Sequence, residues 1–154
     1  MKKINNLKKN EYWMEIALFF ARVALNQGEI PVGAILVHKN KIIGVGWNNS
    51  IKKNDPTGHA EILALRKGGM YLKNYRLLKS TLYVTLEPCL MCLGAVLNSR
   101  IQTLVIGANQ KKINNFLYLS KFILKNKKLK IEVIKNVLKR KCSFLLKNFF
   151  LTKR

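Results

Sequence analysis

The chain of 154 residues carries 29 Lys plus Arg against 7 Asp plus Glu, a formal net charge of +22, and is 49% hydrophobic. That length supports a single domain over 1–154, and that hydrophobic share suits a packed globule, which excludes a disordered tail and a multidomain array. Such a charge attracts polyanions, nucleic acid first among them, although a chain rich throughout in Lys, Asn and Ile is also what an AT-biased genome produces.

In chain order, residues 1–9 are Lys- and Asn-rich and are expected to fray. From Glu11 to Gln27, Met14, Ala17, Leu18, Ala21 and Leu25 recur at three and four, which predicts an amphipathic helix ended by Gly28. The unbroken apolar run Ile16–Ala21 is closed by Arg22, too short for a membrane span, and Glu11 and Glu15 interrupt any signal-peptide pattern. The expected location is therefore cytoplasmic. Val32–His38 reads as a strand, Lys39-Asn40 as a tight turn and Lys41–Trp47 as the returning strand. Asn48–Gly58 is a loop by its Asn, Asp, Pro and Gly. His59–Lys67 is helical, with a stop at Gly68-Gly69. Thr81–Leu86 is a short buried strand, Cys89–Asn98 a helix, and Ile101–Ile106 another strand. Phe116–Lys125 is patterned as a helix, Ile131–Ile134 as a strand and Val137–Phe150 as a final helix. Strands alternating with helices predict a layered α/β fold.

Two fragments carry chemistry: His59-Ala60-Glu61 and Pro88-Cys89-Leu90-Met91-Cys92. Alone, the Cys-x-x-Cys pair is either a metal half-site or a redox dithiol. The third cysteine, Cys142, lies in an apolar C-terminal segment and reads as a small core residue. Residues three apart on a helix share a face, and a helix N-terminus favours thiolate over thiol. With His59, the two cysteines make three ligands, and a three-ligand zinc site keeps one position for water, whose pKa falls to about 7 there. His38, at the end of a hairpin strand, reads as a surface residue. Glu61, two residues from a ligand, can take a proton from that water and return it to a ring nitrogen and a departing amine. The expected chemistry is hydrolytic deamination, with ammonia as product.

The combined pattern resembles the zinc nucleoside and nucleobase deaminases, whose H-x-E and P-C-x-x-C signature has a described mechanism. Within them, Glu11–Met14, Pro31–Ala34, Gly46-Trp47-Asn48, Asp55–Glu61, Asn74–Leu77 and Tyr83–Cys89 resemble the bacterial tRNA-specific adenosine deaminases. The likeness runs from about residue 11 to 108, and Phe149-Phe150 fits again. The resemblance implies a three-layer α/β/α fold of the cytidine deaminase kind, with a central mixed five-stranded sheet flanked by helices. It implies conversion of adenosine to inosine at the wobble position of a tRNA anticodon, chiefly an arginine tRNA, by a homodimer holding one Zn2+ per subunit. It implies that Asn48 hydrogen-bonds the flipped purine and that Ile30 and Leu86 line its pocket.

One segment departs from the family pattern. Where the family has Ala-Arg-Asp, this chain has Ala108-Asn109-Gln110, followed by Lys111, Lys112 and Ile113-Asn114-Asn115. The family's Asp contacts the substrate backbone, and Gln110 brings no carboxylate to do so. Two other readings stand beside the main one: the same chemistry on cytosine, cytidine or guanine, and a non-catalytic zinc module that only binds RNA or a partner. Glu61 argues against the second, since an inactive copy has no need of it.

Overall fold

The computed structural model describes residues 2–110 and 131–153. The described elements are α1 (Lys2–Asn26), β1 (Gly33–His38), β2 (Lys41–Trp47), α2 (Ser50–Lys53), α3 (Ala60–Leu72), β3 (Ser80–Leu86), α4 (Leu90–Ser99), β4 (Thr103–Ala108), β5 (Glu132–Ile134) and α5 (Lys139–Leu151). The five strands form one mixed sheet in the order β2-β1-β3-β4-β5. β1 pairs antiparallel with β2 and β3, whereas β3–β4 and β4–β5 are parallel. This is the mixed five-stranded sheet implied by the resemblance. Lys39 and Asn40 both have positive φ, as a two-residue hairpin turn requires.

Strand side chains alternate between two cores. Ala34, Leu36, Leu82, Val84, Leu104 and Ile106 pack with α3 and α4, through Ala60, Ala64, Leu65, Leu93 and Val96. Ile35, Val37, Tyr83 and Val105 face the other way, onto Met14, Ala17 and Leu18 of α1 and Cys142 of α5. Period two in the strands and two flanking helical layers produce the α/β/α sandwich. Among the described residues no helix is long and apolar enough to cross a membrane.

Four sequence expectations are corrected. The first helix does not wait for Glu11 but begins at Lys2. Neither Gly nor Pro interrupts residues 2–10, and the Tyr83 hydroxyl donates to Asn10 Oδ1 at 3.0 Å, tying this extension to β3. The third helix does not stop at Gly68-Gly69 but runs to Leu72 and ends on Lys73 in the left-handed conformation. Gly68 is there for packing: a Cβ at that position would lie 2.2 Å from Leu36 Cδ2. The loop Asn48–Gly58 contains one helical turn, α2, whose Lys52 backbone N–H donates to the buried Glu29 carboxylate at 2.8 Å. Strand β4 covers Thr103–Ala108, so it begins and ends two residues later than the predicted Ile101–Ile106. The helix patterned over Phe116–Lys125 and the run 113–115 lie outside the described residues.

β2 carries α3 unusually close. A Cβ on Gly44 would lie 2.2 Å from the Ala64 carbonyl oxygen, and one on Gly46 would lie 2.0 Å from that of Ala60. With no side chains there, the helix backbone rests directly on the strand, and its first turn is fixed against the end of β2.

Candidate metal and active site

His59 is the N-cap residue of α3 and Cys89 that of α4. Two helix N-termini therefore converge on one point, each bringing partial positive charge. Pro88 precedes Cys89, and Leu93 N–H donates to the Cys89 carbonyl as the first bond of α4. Cys92 follows on the same face, fully buried, while Cys89 is half-buried.

The ligating atoms of His59, Cys89 and Cys92 all lie within 4.8 Å of one another. His59 Nδ1 is 3.6 Å from Cys89 Sγ and 3.5 Å from Cys92 Sγ. Tetrahedral zinc with Zn–S of about 2.3 Å and Zn–N of about 2.0–2.1 Å requires N···S edges of about 3.6 Å. Two sulfurs and an imidazole nitrogen at these separations fit zinc in both spacing and softness. Among the described residues no fourth His, Cys, Asp or Glu joins the group. Cys142 is remote from it, with its sulfur against Gly107 in the other core, and His38 instead meets Ser80 Oγ at 3.2 Å, half-buried.

Electrostatics follow from the crowding. The hydrogen bond from Cys92 holds the Cys89 thiol down to about 5, and the nearby His59 adds to this. The same bond, with burial and Glu61, pushes Cys92 up. Glu61 is 4% exposed, and burial pushes its carboxyl up to about 7, with Cys89 adding to the rise. Its carboxyl meets the Cys92 sulfur yet stands outside the group of three candidate ligands.

Asn48 follows β2, and its Oδ1 accepts the Ala60 backbone N–H at 3.1 Å, which joins it to the start of α3. Its own N–H donates to Val32 O and Val32 N–H donates to Ile30 O, so Ile30 and Asn48 lie at the same end of the β1–β2 pair. Ile30 is 37% exposed there. Leu86 closes β3, three residues before Cys89, opposite Ala108 of β4. Gln110, at the departure from the family pattern, donates its backbone N–H to Glu87 Oε2 at 3.3 Å. Glu87 is thereby a link between the cysteine loop and the end of β4 that the sequence reading missed. Also missed were Gly44 and Gly46, although glycines two apart in a strand, on one face, are a readable sign of a close-lying helix.

The fold and the two-cysteine, one-histidine group are those of a deaminase. Residues 8–154 match the family model described as MafB19-like deaminase. The tRNA-specific adenosine deaminase of Buchnera aphidicola subsp. Schizaphis graminum is 50% identical over 146 residues, covering 95% of this chain and 97% of the relative. That of Buchnera aphidicola subsp. Baizongia pistaciae is 51% identical, covering 94% of this chain and 90% of the relative. A solved structure from studies of A-to-I editing by tRNA:A34 deaminases at the wobble position of transfer RNA superposes with TM-score 0.80 at 34% identity, covering 88% of this chain and 99% of that one. This chain belongs to the family of the tRNA-specific adenosine deaminases. The likeness extends over nearly the whole chain, beyond the 11–108 stretch legible from motifs.

Proposed function

We propose that the chain is one catalytic domain that hydrolyses adenosine to inosine at the wobble position of a tRNA anticodon, with His59, Cys89 and Cys92 holding one zinc ion and Glu61 moving the protons. The observation that carries this is the convergence of two thiols and an imidazole nitrogen beside a buried carboxyl. Zinc supplies polarisation of the attacking water. Glu61 takes a proton from that water and delivers it to the ring nitrogen beside the amine-bearing carbon. It then carries the second proton to the departing amine, so adenosine and water leave as inosine and ammonia. A carboxyl pushed up to about 7 by burial suits a group that must both accept and release a proton near neutrality.

Asn48, already committed through Oδ1 to Ala60, keeps its amide NH2 for an acceptor on the flipped purine, and Ile30 and Leu86 form apolar walls. An anticodon loop is single-stranded, so its base is extruded more cheaply than from a duplex. The +22 charge supports phosphate contact with the rest of the tRNA. Homodimerisation is supported by a groove of about 700 Å³ between α3 and α4, lined in part by Ile62, Leu65 and Ala95, with Met70 and Tyr75 widely exposed at it. A tRNA substrate supports cytoplasmic residence.

The test offers purified protein an arginine tRNA anticodon stem-loop, free nucleosides and free guanine in parallel. Inosine formed in the RNA alone supports the reading. Turnover of free cytidine or guanine with inert RNA overturns it.

A further inference from the structure

His59 is delivered to the metal group by a turn that belongs to neither a strand nor a long helix, and one side chain fastens it. Asp55 Oδ1 accepts both the Thr57 backbone N–H and the Thr57 hydroxyl, each at 2.8 Å. Thr57 O then accepts the His59 N–H at 2.7 Å. The remaining backbone donors of the turn are also committed: Asp55 N–H to Ser50 O and Gly58 N–H to Asp55 O, both at 3.0 Å. Gly58 O in turn accepts the Asn49 N–H at 2.8 Å. Pro56 has no N–H to place. Among the described residues Asp55 is the one side chain that accepts a backbone N–H of this turn ahead of His59.

We infer that Asp55 is a positioning residue: by clamping Thr57 it fixes the backbone of His59, and so sets where Nδ1 stands relative to the two sulfurs. This rests on the reading of His59 as a metal ligand. The bland alternative is a solvated loop charge. It is disfavoured because a single oxygen takes two short bonds from one residue, which also holds the Asp55 carboxyl below the usual carboxylate range. An Asx turn of this kind presets the chain two residues on. Metal affinity is sensitive to such placement, because Nδ1 must meet an ion shared with sulfurs 3.5 and 3.6 Å away.

The experiment titrates the full-length metal-free protein with Co2+ and follows the thiolate-to-cobalt absorption band, with the thermal midpoint of each metal-free variant measured alongside. Asp55→Ala is expected to weaken cobalt binding about tenfold, the scale of losses seen when groups that orient metal ligands are removed. Asp55→Asn retains an acceptor oxygen suited to the same turn and is expected to stay within about threefold of the unaltered protein. Thr57→Val loses the hydroxyl bond but keeps the N–H bond and falls between. Cobalt affinity unchanged in Asp55→Ala overturns the inference, as does Asp55→Asn as weak as Asp55→Ala, since charge and not the turn would then be responsible. If Asp55→Ala does not fold, unchanged affinity in Thr57→Val overturns it. Absence of the band in the unaltered protein instead overturns the metal reading itself, and this inference with it.

Discussion

Replacing Gly46 by Ala tests how the sheet holds the site. The added Cβ would lie 2.0 Å from the Ala60 carbonyl oxygen, 2.8 Å from Ala64 N and 2.9 Å from the Ala60 carbonyl carbon, all backbone atoms that no rotamer change can move aside. Ordinary contact begins at 3.4 Å, so the first turn of α3 must retreat about 1.4 Å. Ala60 stands between His59 and Glu61, and both travel with it. Overpacking of this kind costs about 1–3 kcal/mol. At about 2–4 °C per kcal/mol for a chain of this size, the thermal midpoint should fall by roughly 5 °C. Misplacement of about 1 Å near reacting groups costs about 100-fold in rate, so inosine formation should fall by about that factor. The assay combines a thermal melt, zinc content by mass spectrometry and turnover of an anticodon stem-loop. A Gly46→Ala protein with unaltered midpoint, zinc content and turnover would refute the claim that α3 rests on β2 through this glycine.

Other perturbations separate the roles of the site residues. Glu61→Gln should keep zinc and RNA binding, measured by metal analysis and gel shift, while turnover falls about 10²–10⁴-fold. Dialysis against a chelator should abolish inosine formation, and Zn2+ but not Mg2+ should restore it, because thiolate and imidazole ligands select against a hard, oxygen-seeking ion. Cys142→Ser places a hydroxyl in an apolar core against Gly107. It should lower stability by about 1–3 kcal/mol, read by denaturant unfolding, and leave the zinc stoichiometry unchanged.

Much of the fold was legible because the strands alternate cleanly and the turns carry their own punctuation. Lys39-Asn40 and the apolar run Thr81–Leu86 are examples. The errors share a cause: a local signal was overridden by packing. Gly68 resembles a helix stop, but it is small because Leu36 presses on α3 from the sheet, which cannot be seen without knowing that these residues meet. The polar stretch at residues 5–9 resembles a frayed end, yet helix propensity there is unopposed and Tyr83 anchors Asn10. For the site, residue type and spacing marked the three metal-ligand candidates and Glu61, because metal chemistry restricts the side chains that can serve. The supporting groups were less visible. Glu87 and Asp55 act on backbone N–H groups, and any backbone offers those, so only the folded arrangement singles out which are held.

X-ray absorption at the zinc edge, on protein purified without added metal, most directly tests the claim of a three-ligand metal centre open on one side. The expected spectrum has two sulfurs at about 2.3 Å and two nitrogen or oxygen neighbours at about 2.0–2.1 Å, one from His59 and one exchangeable. Absence of zinc, or a shell of three or four sulfurs, would contradict the account.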